Sequence, residues 1–306
     1  MYDIIVIGGG PAGMTAALYA LRNGKSALVL DKHGFGGQIT YSPRVENWPG
    51  VAQMSGNEFA EAMLDQIMNQ GAEVDLAEAL KVEDLGDRKR VHTDDGQIRE
   101  ARAVVLATGV KHRMLGLPGE TELVGEGISF CAVCDGDFYA GQTVCVAGGG
   151  NSALQEAILL AGKCKKVIML QDLPAFTGEK KLQEILFSRD NVEAHTGVRI
   201  TGLIVRDGAL KGVTVENRED GKTTSVACDG LFVAIGLIPE NEAFRDLAPL
   251  DGMGYFDAGE TCETGVPGIY AAGDCRRKSV RQLTTAVGDG ATAALAACRY
   301  IDANRN

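Results

Sequence analysis

The segment Cys131-Ala132-Val133-Cys134 carries the plainest chemistry in the chain. Two thiols separated by two residues close a disulfide readily at the start of a helix, where a lowered pKa favours the thiolate. Asp135 follows at once and is placed to move the proton that thiol–disulfide exchange requires. A zinc reading of the pair needs a second pair of ligands at suitable spacing, which the sequence does not supply, so no metal is expected. Of the eight cysteines, the other six (Cys145, Cys164, Cys228, Cys262, Cys275 and Cys298) read as small apolar packers.

The elements that must position this pair announce themselves as two glycine signatures. Ile4-Ile5-Val6-Ile7 runs into Gly8-x-Gly10-x-x-Gly13, an apolar helix over about Pro11 to Asn23, and a strand from Ala27 to Leu30 closed by Asp31. Gly8 permits the tight turn out of the strand, Gly10 lets a pyrophosphate approach the backbone, and Gly13 lets helix and sheet pack closely. The anion then lies on the helix N-terminus, with Pro11 and Ala12 in its first turn. Asp31, at the strand end, is placed to accept hydrogen bonds from a ribose diol. Val144-Cys145-Val146-Ala147 with Gly148-x-Gly150-x-x-Ala153 repeats the pattern, and the strand Lys166 to Leu170 is followed by Gln171 where the first copy has its acid. Two nucleotide folds and a dithiol read together as an electron relay.

A chain of 306 residues exceeds one ordinary domain, and 45% hydrophobic with 23% charged residues is a globular composition. The net charge of -11 argues against nucleic acid, which needs clustered Lys and Arg. No apolar run is long enough to cross a membrane, and Met1 leads almost directly into a core strand, so a cytoplasmic location without signal peptide is expected. Val104 to Gly109 and Ile269 to Asp274 are similar buried strands ending in small-residue turns, as if one fold were divided by an insertion. The expected architecture is α/β with two Rossmann-like, three-layer domains: residues 1-115 and 248-306 form one, and 116-247 form the other, inserted and carrying the disulfide. The alanine-rich run Thr284 to Ile301 is helical in pattern and should pack on the first domain.

The full set of motifs resembles the low-molecular-weight thioredoxin reductases over nearly the whole length. Besides the two glycine signatures it includes Gly36-Gly37-Gln38, Val45-Glu46-Asn47-Trp48-Pro49-Gly50, Ala107-Thr108-Gly109, Leu115-Gly116-Leu117-Pro118-Gly119-Glu120, Cys131 to Gly136, and Ala272-Gly273-Asp274 with Arg281-Gln282. The resemblance implies a homodimer in which the first domain holds FAD and the inserted domain normally holds NADPH, with thioredoxin as the acceptor. It places Gly8, Gly10, Pro11, Ala12 and Gly13 at the FAD pyrophosphate, Asp31 at the adenosine ribose, and Gly37, Gln38 and Asn47 towards the flavin. Thr108 and Gly109 form the loop beside it, and Asp274, Arg281 and Gln282 hold its ribityl and isoalloxazine portions.

One stretch departs from that family. Its members usually carry His-Arg-Arg after the second nucleotide strand, with another Arg beyond, to read the NADPH 2'-phosphate. This chain has Gln171-Asp172-Leu173-Pro174-Ala175-Phe176-Thr177, and phosphate recognition rests on the missing cations. NADPH binding is therefore doubtful, and reduced ferredoxin or NADH is expected as donor. The basic residues Arg276, Arg277, Lys278 and Arg281, with Lys111 and Arg113, are read as a surface on which acidic ferredoxin would dock. Two other readings remain open: an NADPH-dependent reductase with a rebuilt phosphate site, and an FAD-binding redox sensor that does not turn over.

Overall fold

The structure is a computed structural model describing residues 1–304. The chain divides into two compact units, one formed by Met1–Lys111 and the segment from Ile238 onward, the other by His112–Leu237.

In the first unit the parallel strands run in the order Glu73–Leu76, Ala27–Asp31, Tyr2–Ile7, Ile98–Leu106, with Ile269–Ala271 also pairing parallel with Ile98–Leu106. The long strand Ile98–Leu106 serves two layers, because its first half pairs antiparallel with Lys89–Thr93, which pairs in turn with Ala79–Asp84. The central strand Tyr2–Ile7 is apolar on both faces and needs cover on both. Ile4 and Val6 pack against helices Pro11–Arg22 and Leu283–Ala303, while Ile5 and Ile7 pack on the other side with Val91, Phe244 and Phe256. Alanine-rich sequence in both helices lets them approach closely: a side chain on Gly290 would meet the Ala12 carbonyl. The C-terminal helix thus lies on the first domain, as its pattern indicates.

The second unit repeats this plan. Five parallel strands run in the order Val192–Thr196, Lys166–Gln171, Thr143–Ala147, Gly230–Val233, Ile128–Ser129. Helix Asn151–Ala161 covers one face, and an antiparallel meander of Val198–Arg206, Ala209–Asn217 and Thr223–Ala227 covers the other. Both units are α/β and three-layered, as the internal repeat requires.

The chain crosses between units at 111/112 and 237/238, earlier than the 115/116 and 247/248 expected from sequence. Burial explains the correction. Leu115 and Leu117 pack into the core of the second unit with Leu231, and the Glu120 carboxylate accepts the backbone N–H groups of Leu115, Gly116 and Leu117. Phe244 and Ala248, on the far side of the second crossing, are buried in the first unit.

Candidate functional site

The first glycine turn is an open cradle. Gly8 sits at φ 112°, and a Cβ there would lie 2.2 Å from the Ala107 carbonyl oxygen. A Cβ on Gly13 would lie 1.8 Å from the Gly8 oxygen, so helix Pro11–Arg22 starts in direct contact with the turn. Gly10 caps that helix without a side-chain hydrogen bond. A Cβ added there would meet nothing nearer than the Gly36 oxygen at 3.9 Å, which leaves space above Gly10 and the first-turn N–H groups of Ala12 and Gly13. The Asp31 carboxylate ties the returning loop to the turn, accepting N–H groups from Gly9 (2.7 Å), His33 (2.9 Å) and Gly34 (3.0 Å). Gly37 faces Gly10 across the cradle, and Gln38 follows in the exposed turn Gly37–Tyr41.

The other residues expected at this cofactor converge in the same unit. The Asn47 side chain donates to Gln282 (3.4 Å), whose backbone starts the C-terminal helix. Thr108 Oγ1 donates to Asn241 Oδ1 (2.7 Å), next to Gly109 at φ 69°. Arg281 lies 4.2 Å over the Tyr255 ring and donates to the Asp274 carbonyl. Asp274 is the informative member: its buried Oδ1 has no hydrogen-bond partner, and burial pushes its carboxyl up. A buried polar oxygen without a partner costs free energy, so it is suited to a hydroxyl donor that the chain itself does not provide. Asn241, fully buried and bonded through Nδ2 to the Gly254 and Cys275 carbonyls, also supports this site. An isolated Asn in a linker-like stretch gave no signal in the sequence.

The basic residues after Asp274 do not form one exposed patch: the side chains of Arg276 and Lys278 are buried, and Arg277 stays at the surface. Arg276 is 2% exposed and makes two hydrogen bonds to Asp289, at 2.8 and 2.7 Å. Lys278 reaches the same carboxylate at 2.9 Å, Arg277 pairs with Asp257, and Lys111 pairs with Glu240. Asp289 lies on the C-terminal helix, where the apolar pattern concealed it as an anion for two interior cations.

In the second unit the redox pair is a disulfide, Cys131–Cys134, with Cα atoms 5.3 Å apart. Cys131 caps the short helix Ala132–Asp135, its Sγ accepting the Cys134 N–H at 3.2 Å. Ser129 holds the approach: its Oγ accepts the Cys131 N–H (3.1 Å) and donates to Asp135 Oδ2 (2.6 Å). Burial raises the Asp135 carboxyl, against the lowering effect of Ser129, and its Oδ1 is buried without a partner. Glu156, from helix Asn151–Ala161, accepts the Ala132 N–H; burial, reinforced by Asp135, raises it to about 7. Neither Ser129 nor Glu156 was singled out from sequence, because each becomes part of the site only through folding. The other six cysteines are buried thiols.

The second glycine turn keeps the shape of the first but carries Gln171 where the first has Asp31. Gly148 has φ 124°, and Gly150 caps Asn151–Ala161 without a side-chain bond. Gln171 is buried against Gly149 and donates to the Ala175 carbonyl (3.2 Å). The next residue, Asp172, turns outward as strand alternation requires and pairs with Arg218 (2.6 Å) and Arg199 (3.4 Å). Burial alone would raise its carboxyl, but the two guanidinium groups hold it below the usual range. Among the described residues no cluster of His, Cys, Asp and Glu could hold a metal ion, and no helix is long and apolar enough to cross a membrane.

Comparison with known proteins places these features in a family context. The model of the pyridine nucleotide-disulphide oxidoreductases matches residues 2–290. The chain is 38% identical over 299 residues to a 34.2 kDa protein of the rubredoxin operon of Clostridium pasteurianum, covering 98% of this chain and 97% of the relative. It is 37% identical over 302 residues to the thioredoxin reductase of Listeria monocytogenes, covering 99% and 94%. The crystal structure of thioredoxin reductase from Streptococcus pyogenes superposes with a TM-score of 0.93 at 39% identity, covering 99% of both chains.

Proposed function

This chain belongs to the pyridine nucleotide-disulphide oxidoreductases, within them to the low-molecular-weight thioredoxin reductases, and from that premise we propose that it carries electrons through bound FAD and the Cys131–Cys134 pair to a thioredoxin disulfide, from a donor other than NADPH. The observation that carries the reading is the disulfide itself, set at a helix start beside a buried acid with a raised pKa.

The cradle at Gly10 and the partnerless Asp274 oxygen fit FAD. In this reading the first-turn N–H groups of Ala12 and Gly13, opened by Gly8, Gly10 and Pro11, hold its pyrophosphate. Asp31 takes the adenosine ribose, and Asp274 accepts from a ribityl hydroxyl. Gly37, Gln38, Asn47, Thr108, Gly109, Arg281 and Gln282 surround the flavin portion. When bound, FAD supplies the two electrons that open the disulfide.

The dithiol chemistry belongs to the chain's own residues. One of the two sulfurs, as thiolate, attacks the thioredoxin disulfide; a mixed disulfide forms and one thioredoxin sulfur leaves and takes a proton. The second sulfur then attacks the mixed disulfide, which closes Cys131–Cys134 and releases the other thioredoxin sulfur, also to be protonated. Two electrons and two protons have passed to thioredoxin. Asp135, kept protonated more readily by burial and held by Ser129, supplies a proton close to this exchange.

The donor reading rests on the end of the second nucleotide strand. Arg199 and Arg218 are already paired with Asp172, so a 2'-phosphate would have to displace that carboxylate and accept its repulsion. The same pairing withdraws Asp172 from a ribose diol, and Gln171 is committed to Ala175, which weighs against NADH as well. Reduced ferredoxin therefore stays ahead of NADH, although two of the basic side chains expected to dock it, Arg276 and Lys278, are buried. A homodimer is proposed on the family resemblance alone. Anaerobic mixing with NADPH, NADH and reduced ferredoxin in turn, followed by flavin bleaching, tests the donor: ferredoxin should bleach fastest, and rapid bleaching by micromolar NADPH would overturn the ranking. A redox sensor without turnover would reduce no thioredoxin with any of the three.

A further inference from the structure

Glu156 has no part in the exchange described above, yet its carboxyl sits against the redox helix. It projects from helix Asn151–Ala161 and accepts the N–H of Ala132, the residue directly after Cys131. Ala132 is 1% exposed, so water does not compete for that N–H. The same backbone turn gives its Cys134 N–H to the Cys131 sulfur. Carboxyl and sulfur are thus held by N–H groups of one helical turn. Among the described residues Glu156 makes no ion pair. The acid facing it from the redox helix is Asp135, tied to Ser129, with Tyr139 of the following turn also near Asp135. The closest ion pair in sequence, Lys163 with Asp137, stands at the surface.

We propose that Glu156 shares one proton with the reduced Cys131–Cys134 pair, so that its carboxylate and a neighbouring thiolate do not form together. Opening the disulfide takes two electrons and two protons. One proton stays on a sulfur; the other is divided between the second sulfur and Glu156. A carboxylate held on the N–H next to Cys131 and a thiolate in the same helical turn repel each other, and such groups titrate as a pair. When the thiolate attacks a partner disulfide, one S–S bond forms and one breaks, and the proton left on Glu156 becomes available to the departing sulfur. Burial already raises Glu156 to about 7 in the disulfide form, and a thiolate beside it would oppose its ionisation further.

The inference rests on the redox reading of the cysteine pair, and the experiment separates the two. The full chain is reduced with a dithiol reductant, which is then removed, and alkylation of Cys131 and Cys134 by iodoacetamide is followed by mass spectrometry from acid to alkaline pH. The wild type should show a two-step profile. Glu156→Gln should collapse it to one step at lower pH, with alkylation near neutrality faster by roughly three- to tenfold, whereas Glu156→Asp should keep two steps. A Glu156→Gln profile that superposes on the wild type rejects the shared proton, and a pair that the reductant cannot open rejects the redox reading with it. Should the Gln variant fail to fold, the infrared difference between oxidised and reduced wild type, with isotope-labelled glutamate, gives the answer: a glutamate carboxyl band must change on reduction, and its absence overturns the proposal.

Discussion

Replacing Asp289 by Asn should destabilise the first unit by about 3–5 kcal/mol, the usual cost of stripping a buried ion pair of one partner. The Asp289 carboxylate receives four donors: Arg276 Nε (2.8 Å) and Nη2 (2.7 Å), Lys278 Nζ (2.9 Å) and the Gly273 N–H (3.0 Å). Both cationic side chains are almost fully buried, at 2% and 5% exposure. Of the other acids nearby, Glu260 is 3.7 Å from Arg276 and 94% exposed, too solvated to replace Asp289, and Asp274, though within electrostatic reach of both cations, forms no ion pair with either. Asn keeps the shape but not the charge, so two cations would remain inside without a counter-ion. At roughly 2–4 °C per kcal/mol for a unit of this size, thermal unfolding should fall by on the order of 10 °C. Screening by salt reaches exposed charges and largely spares buried ones, so the loss should be nearly the same at low and high ionic strength. Burial would raise the Asp289 carboxyl, but Arg276 and Lys278 hold it down. A depressed folded pKa contributes stability that is present above the ordinary carboxylate value of about 4 and is lost as pH falls through the depressed one; the variant should lack that acid-side decline. An unfolding temperature within about 2 °C of wild type, or a difference removed by salt, would refute the reasoning and return Arg276 and Lys278 to the solvated surface.

Three further outcomes are expected. Gly10→Val should abolish flavin retention while leaving the flavin-free protein folded, because Gly10 has an extended backbone with φ -77° and ψ -177° and its Cβ would point into the cradle without meeting another atom closely; absorbance after reconstitution with FAD checks this, and a yellow variant contradicts it. Asp135→Asn should slow thioredoxin reduction by roughly ten- to a hundredfold, measured as turnover with an artificial flavin reductant, and an unchanged rate would remove Asp135 from the proton path. In the oxidised protein, the raised Glu156 pKa of about 7 favours the protonated form on folding, so stability is full below the ordinary carboxylate range and declines as pH rises to about 7, by on the order of 3 kcal/mol. Urea unfolding of wild type and Glu156→Gln across that window should converge at acid pH and diverge above it; parallel curves would contradict the assignment.

Much of the fold was legible because its signals are local. Gly8 and Gly13 stand where a side chain would clash, and Gly10 leaves space above the helix start, so the glycine spacing alone locates the cradle, and the match of Gly148 to Gln171 with Gly8 to Asp31 reveals the second unit. The CxxC spacing likewise fixes the disulfide. What the sequence hid depends on partners distant along the chain. Asp289 sits in a run of alanines with nothing to mark its two cations, so a cluster of consecutive basic residues looked like exposed surface. Asp172 looked like a bare repulsive acid because Arg199 and Arg218 come from the meander beyond it. The domain boundaries were misplaced because Leu115 and Phe244 bury on the sides opposite to those their spacing implied.

Whether electrons leave bound flavin for thioredoxin only through Cys131 and Cys134 can be read in one reaction cycle. The most direct measurement is a single turnover without any nucleotide: the FAD-loaded protein is reduced anaerobically with dithionite, freed of excess reductant, and mixed with oxidised thioredoxin while flavin absorbance and thioredoxin thiols are followed together. The wild type should re-oxidise its flavin as thioredoxin thiols appear, and Cys131→Ser and Cys134→Ser should each hold reduced flavin and yield no free dithiol thioredoxin. Thioredoxin reduced at the wild-type rate by either serine variant would contradict that route.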